Sequence, residues 1–408
     1  MVAAVLVITT CSVASVPSSP PVDLPEHLPE GTDGLASVLH TELDVRMVPG
    51  NRVELIENGR IFDELVRGID AARSSVHVEI FIWRKSEPSD RVVEALRARR
   101  PGVECRVVVD PAGSIDFDDE VQGPLEKAGC EVRIFRPFTQ VWPGEYLERN
   151  HRKLVVIDGQ VALTGGWGIW RSWLGEGRKT EEWRDSNVRV EGPVVAHFQA
   201  AFGRTWQAVG GGKLPRSAFP ALSEQGTASA GFVISTAPER GQASEAEKAI
   251  RLLIASATKR LWISNSYFVP SDELVALLAA KRRAGVDVRI LAPGPVHDWP
   301  SIRAAQRATY EPLLEAGVRI WEYQPSMMHA KTILVDDRLV MVGSTNLDWL
   351  SLRQMEENAV LVDDPVLAGQ LARSFLEDLE YSEEFSQRTT AVLERVSRRF
   401  FWLIGRFL

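Results

Sequence analysis

Apolar side chains recur along this chain in two rhythms, and the two rhythms alternate. Residues 60–73 carry them at helical spacing, and residues 76–83 then read as a buried strand. A helix over 89–99 follows, then strands over 102–110 and 131–135. The second half keeps the same order: a helix over 244–259, a strand over 260–268, a helix over 271–283, then strands over 285–293 and 318–321. Local wording repeats as well. Gly102-Val-Glu-Cys-Arg-Val-Val-Val-Asp110 answers Gly285-Val-Asp-Val-Arg-Ile-Leu-Ala-Pro293, and Pro124-Leu125 with Ala128-Gly129 answers Pro312-Leu313 with Ala316-Gly317. Strands alternating with helices predict an α/β fold built on a mostly parallel sheet. The doubled order predicts two similar lobes related by a pseudo-two-fold axis. Residues 208–230 hold Gly210, Gly211, Gly212, Pro215, Pro220 and Gly226 with little periodicity. They read as a linker between a first lobe over 40–207 and a second over 231–385.

One phrase is written in both halves. His151, Lys153, Asp158 and Gly165 recur as His329, Lys331, Asp336 and Gly343, every one displaced by the same offset, in a chain with only 7 histidines among 408 residues. Each His and Lys two apart on a strand would point to one face. If the lobes face each other, two imidazoles and two ammonium groups converge. Such a site suits a phosphodiester: the lysines bind the non-bridging oxygens, whose charge grows during displacement. A neutral imidazole can attack phosphorus and form a phosphohistidine. A protonated one can donate to the leaving oxygen and then take a proton from the incoming water or alcohol.

Strand parity puts Asp158 and Asp336 on the other face or in a turn, and Asp158-Gly159 is a hairpin signal. They read as structural. The small pairs Gly165-Gly166 and Gly343-Ser344 permit close backbone approach to a phosphate, and Ser344 and Asn346 add donors. One more pair is nominated by the repeat: Asp185 and Glu357 each stand eight residues before a proline, Pro193 and Pro365. A carboxylate on the far ring nitrogen of each histidine would set its tautomer and orientation.

Composition narrows the partners. A net charge of −8 and an ordinary 25% of charged residues exclude a broad basic footprint for nucleic acid. Neither CxxC nor HExxH occurs, and neither a metal nor another cofactor is expected. Cys11, Cys105 and Cys130 are too few for a disulfide framework, and Cys105 and Cys130 read as buried free thiols. Residues 2–16 are mostly apolar and run into Ser18, Ser19, Pro20 and Pro21, like the core of a signal or anchor segment over 1–25, without a preceding Lys or Arg. Export or membrane association is the expectation. Over 386–408, Val396, Phe400, Ile404 and Phe407 recur at helical spacing among Arg395, Arg398, Arg399 and Arg406. This basic amphipathic stretch suits either a membrane surface or the protein's own core.

Together the motifs resemble the phospholipase D superfamily, whose signature is HxKx4Dx6G(S/G) in two copies, over roughly residues 50–385. His151-Arg-Lys-Leu-Val-Val-Ile-Asp-Gly159, Trp183-Arg184-Asp185, Tyr267-Phe-Val-Pro270 and Gly343-Ser-Thr-Asn-Leu-Asp348 are similar to the bacterial cardiolipin synthase branch. The resemblance implies phosphatidyl transfer through a phosphohistidine, with His151 as nucleophile and His329 as general acid and base. His151, Lys153, Asp158, His329, Lys331 and Asp336 form its catalytic signature. It implies membrane phospholipid, phosphatidylglycerol above all, as substrate. Some positions depart from the pattern: Gly168 stands where the family has Asn, and Leu350 and Met355 stand where it usually has Arg and Asn. Hydrolytic phospholipase D, a nucleic-acid phosphodiesterase and a non-catalytic scaffold stay as alternatives.

Overall fold

The computed structural model describes residues 32–140, 146–238 and 242–386. The segment over 1–25 lies outside them, as does the basic stretch from residue 387 onward. No helix among the described residues is long and apolar enough to cross a membrane.

The first half contributes β1 (Val48–Glu57), β2 (Ser75–Ile80), β3 (Glu104–Val109), β4 (Glu131–Ile134), β5 (Leu154–Ile157), β6 (Val161–Gly165), β7 (Trp183–Arg184) and β8 (Ser186–Glu191). From the second come β9 (Ala228–Ser235), β10 (Arg260–Asn265), β11 (Asp287–Pro293), β12 (Arg319–Tyr323), β13 (Met327–Met328), β14 (Lys331–Val335), β15 (Leu339–Gly343), β16 (Glu357–Asp363) and β17 (Ser382–Glu384). Fifteen of these strands form one sheet, in the order β17-β12-β11-β10-β14-β15-β16-β9-β1-β8-β6-β5-β2-β3-β4. Apart from the edge strand β17, the order mirrors itself about the β9–β1 pair. The duplication read in the sequence is thus a symmetry of the sheet.

Within each half the second to fourth strands pair in parallel, β2 with β3 and β3 with β4, β10 with β11 and β11 with β12. The strands that follow are antiparallel, so the sheet is mixed. The reason is local. β5–β6 and β14–β15 are hairpins whose turns hold Asp158 and Asp336 at φ 55° and 52°, and a tight turn reverses the chain. β9 begins at Ala228, inside the expected linker. Its Ala, Gly and Ser residues carry too little apolar bulk to announce a strand, yet β9 pairs with β16 along its length and β1 pairs with it in turn.

Helices cover both faces. The helix Arg60–Ala71 buries Ile61, Phe62, Leu65 and Ile69 on one stripe against the first half's strands. The helices Val195–Ala208 and Pro365–Glu380 lie in a single core with strands of both halves, through Phe198, Phe202, Leu371 and Phe375. That shared core holds the halves against each other.

Cys105 and Cys130 are disulfide-bonded, which corrects the expectation of free thiols. Arg106 of β3 lies opposite Glu131 of β4, so the preceding residues come together, with Cα atoms 4.5 Å apart. Pairing of two strands 25 residues apart in sequence is a tertiary fact that counting cysteines misses.

Candidate active site

Two short cross-links between the halves build the site. Met327 and Met328 of β13 pair in parallel with Trp183 and Arg184 of β7, and Asn150 bridges Glu356 in the same sense. The residue after each bridge is the chemical one. His329 N–H donates to the Arg184 carbonyl at 2.7 Å, and His151 N–H to the Glu356 carbonyl at 2.9 Å. Each histidine therefore stands beside the carboxylate of the opposite half. His151 and Lys153 precede β5, and His329 precedes β14. The expectation that each pair lies within a regular strand is corrected: these residues form the entry to the strand, where the backbone is free to pair across the halves.

The carboxylate contacts are crossed. His151 Nδ1 donates to Glu357 Oε1 at 2.8 Å, and His329 Nδ1 to Asp185 Oδ2 at 3.0 Å. With the proton held on Nδ1, each Nε2 keeps its lone pair in the neutral ring. Both carboxylates are fully buried and both rings nearly so. Burial pushes the His151 imidazole down to about 4 against the pull of Glu357. Burial also holds His329 well below its ordinary value, with Lys331 adding to the effect. Asp185 is raised by burial to about 6, against the pull of Lys331. Glu357 ends below its ordinary value: burial pushes it up, but its contact and hydrogen bond with His151, together with Lys153 and the Ser344 hydroxyl, more than offset that. Both rings are neutral at pH 7 in the resting protein, and an arriving phosphate anion would favour protonating one of them.

Lys153 and Lys331 complete the cluster, and the charge of each acts on both imidazoles. Lys331 Nζ donates to Ser266 Oγ and to the His329 carbonyl, each at 2.7 Å. It lies 3.0 and 3.1 Å from the His329 ring nitrogens, against the ring. Nδ1 already gives its hydrogen to Asp185, so only the lone pair of Nε2 is open to the ammonium. Lys153 Nζ donates to the His151 carbonyl at 2.6 Å and lies 5.2 Å from the centre of the Phe81 ring. Burial lowers Lys331 to about 8 and Lys153 well below its ordinary value.

Asp158 and Asp336 stand at the far ends of β5 and β14 from the histidines. Asp158 accepts from the amides of Arg73, Ser74 and Ser75 and from the Ser74 hydroxyl. Asp336 accepts from the amides of Thr258, Lys259 and Arg260 and from the Thr258 hydroxyl. Each pins the start of the neighbouring strand. A place among catalytic groups, which the signature gives them, has no counterpart in this geometry.

The glycines expected to approach a phosphate make close contact with protein. A Cβ on Gly166 would lie 2.5 Å from Asp185 Oδ1 and 2.9 Å from the His329 carbonyl. On Gly165 or Gly343 it would meet Asn187 at 2.2 Å or the Asn358 carbonyl at 2.3 Å. Ser344, the counterpart of Gly166, donates its hydroxyl to Glu357 Oε2. Asn346 Oδ1 accepts from Ser266 Oγ at 2.6 Å, fixing the hydroxyl that receives Lys331.

Several neighbours escaped the sequence reading. Trp173 Nε1 donates to Asp185 Oδ2 at 2.8 Å, and its repeat counterpart Ser351 donates to Glu357 Oε1. The Trp183 ring stacks on His329 at 4.7 Å, and the Trp173 ring meets it edge-on at 5.1 Å. Gly168 makes room for that arrangement, because a Cβ there would come within 3.0 Å of the Trp173 ring. The indole does for Asp185 what the Ser351 hydroxyl does for Glu357. The signal for Trp173 lies in the constant offset between the halves, which extends past Gly166 and sets Trp173 against Ser351.

Residues 65–206 and 250–379 each match the family described as "Cardiolipin synthase, PLD-like domain". Cardiolipin synthase 1 of Bacillus cereus is 31% identical over 373 residues, covering 87% of this chain and 72% of that protein. Cardiolipin synthase A of Pseudomonas putida is 32% identical over 369 residues, covering 88% and 75%. Among solved structures, phosphatidylserine synthase of Haemophilus influenzae Rd KW20 is similar in fold, with a TM-score of 0.63 at 15% identity over 91% of this chain and 100% of the other.

Proposed function

This chain belongs to the cardiolipin synthase, PLD-like family, and from that premise we propose that it transfers a phosphatidyl group from one phosphatidylglycerol to another, giving cardiolipin and glycerol. The crossed carboxylate–histidine pairs are the observation that carries the proposal. They leave two Nε2 atoms of opposite halves unprotonated in a site that also holds two lysines, which suits in-line displacement at phosphorus in two steps.

In the first step His151 Nε2 attacks phosphorus, an N–P bond forms, and the P–O bond to glycerol breaks. His329, protonated as the anionic substrate arrives, gives its Nε2 proton to the departing glycerol oxygen. In the second step a hydroxyl of the accepting phosphatidylglycerol attacks phosphorus, its proton passes to His329, and the N–P bond breaks. Lys153 and Lys331 stabilise the charge on the non-bridging oxygens throughout. Glu357 and Asp185 stabilise whichever imidazolium forms. The residues need no metal for these steps, and no group of three or more His, Cys, Asp or Glu side chains among the described residues could hold one.

We place the reaction at the membrane surface, where the substrate is. The Cys105–Cys130 disulfide favours an oxidising compartment over the cytosol. Incubating the purified protein with vesicles of labelled phosphatidylglycerol tests the proposal. Cardiolipin and glycerol in equal amounts are expected. Phosphatidic acid as the sole product would overturn transfer in favour of hydrolysis, and absence of any lipid turnover would remove the proposal altogether.

A further inference from the structure

The surroundings of His329 hold a polar cluster that the steps above do not use. The Tyr267 ring stands edge-on to His329 at 6.4 Å, and its hydroxyl donates to Asp298 Oδ2 at 2.5 Å. Asp298 Oδ1 lies 3.3 Å from His297 Nδ1, and the Tyr267 and His297 rings are 5.6 Å apart. The Asp298 charge acts on both His329 and Lys331, so the carboxylate belongs to the site's own electrostatics. Its side chain keeps 24% of its surface exposed, whereas that of His297 keeps 1%.

Hydrogen positions follow from the bonds. His297 Nδ1 accepts the Trp299 amide at 2.9 Å, so the ring proton is on Nε2. That Nε2–H is buried and has no partner in the protein. A buried donor left unpaired is costly and points to a missing acceptor. The cluster therefore presents an open carboxylate acceptor beside an unpaired imidazole donor. A hydroxyl is both donor and acceptor, and two hydroxyls on neighbouring carbons can engage both groups at once. An ammonium could satisfy Asp298 but would leave the His297 donor unpaired.

Among the described residues, the first half has no counterpart of this carboxylate–imidazole pair. The repeat register sets Tyr267 opposite Ile82 and Ser266 opposite Phe81. The loop after β3 there carries Ile115 with 59% of its surface exposed. A carboxylate–imidazole pair on one side only gives the two ends of a lipid phosphodiester different places.

We propose that Asp298 and His297, braced by Tyr267, bind the free hydroxyls of the glycerol head group, holding the leaving and then the entering alcohol against His329. The proposal rests on the phosphatidyl-transfer reading. It makes Asp298 and His297 determinants of alcohol specificity: the leaving glycerol offers them two hydroxyls, and the entering head group offers the one that does not attack.

Transfer from phosphatidylglycerol vesicles to added alcohols tests this. The measured quantity is the ratio of glycerol to 1-propanol incorporation, followed with melting temperature, for wild type, Asp298→Asn, His297→Gln and Tyr267→Phe. 1-Propanol offers no second hydroxyl. Asp298→Asn should lower the ratio about tenfold or more, as loss of a partner for a substrate hydroxyl does, and His297→Gln by less. Tyr267→Phe should lower it about threefold, because it loosens Asp298 without removing it. A ratio unchanged in Asp298→Asn, or in Tyr267→Phe if Asp298→Asn is inactive, overturns the proposal. So does a larger loss for ethanolamine than for glycerol, which would make this an ammonium site. Wild-type protein that transfers to no alcohol would instead overturn the proposed function.

Discussion

The two half-sites share a backbone plan and differ in what surrounds each imidazole. Around His151 lie the edge of Phe81 at 4.8 Å and a lysine whose ammonium has Phe81 as its neighbour. Around His329 lie two tryptophans, a lysine bonded to Ser266, and the Tyr267–Asp298–His297 cluster. The carboxylate partners also differ in support: Glu357 takes hydroxyls from Ser344 and Ser351, Asp185 an indole N–H from Trp173 and the Ser186 amide. Duplication supplied two equal histidines, and the second layer of side chains made them unequal. A reaction with a nucleophile and a separate proton carrier needs that inequality.

The largest effects should come from the histidines themselves. His151→Ala and His329→Ala are each expected to cost about 10³-fold or more with phosphatidylglycerol. Replacing glycerol by p-nitrophenol, which leaves without protonation, separates them. His329→Ala should recover nitrophenolate release, and His151→Ala should not. Recovery in His151→Ala alone would exchange the two roles.

A smaller effect should appear in the pH profile. The Lys331 ammonium is present below about 8 and lost above it. kcat/KM should therefore fall about tenfold per pH unit on the alkaline side. Lys331→Arg should be slower but should lack that limb, since a guanidinium stays charged. A limb unchanged in Lys331→Arg would assign the titration to another group and weaken the contrast between the two lysines.

The smallest effect on turnover should come from the cross-link that only the first half carries. Replacing Cys105 and Cys130 by Ala should leave kcat little changed. Closure of a loop of this length predicts a loss of stability of about 3 kcal/mol, measurable by urea unfolding. A fall in kcat at unchanged stability would show that the β3–β4 edge communicates with the site.

Much of this was legible along the chain. The apolar rhythm marks the helices and the strands on either side of them, with ends displaced by a few residues. The constant offset between the two copies finds both His–Lys phrases, and the position eight residues before Pro193 and Pro365 finds Asp185 and Glu357. Strand parity was a poorer guide to His151 and His329, because neither sits inside a ladder. β9 was hidden by its small residues. Phe81 and Ser266 look like ordinary strand-end residues until their register against β5 and β14 is known.

What the sequence determined by itself is the duplication, the alternating elements, and the residue types that can do phosphoryl chemistry. Periodicity and spacing are local properties of a covalent chain. Which carboxylate serves which histidine is not local: His151 meets a partner 206 residues away and His329 one 144 residues away. That choice follows from two short bridges docking each half's histidine beside the other half's acid. The Cys105–Cys130 bond, the Trp173 ring packed over Gly168, and the polar corner beside His329 are of the same kind. Tertiary structure decided them, because packing and pairing in three dimensions, rather than position along the chain, set which groups lie within bonding distance.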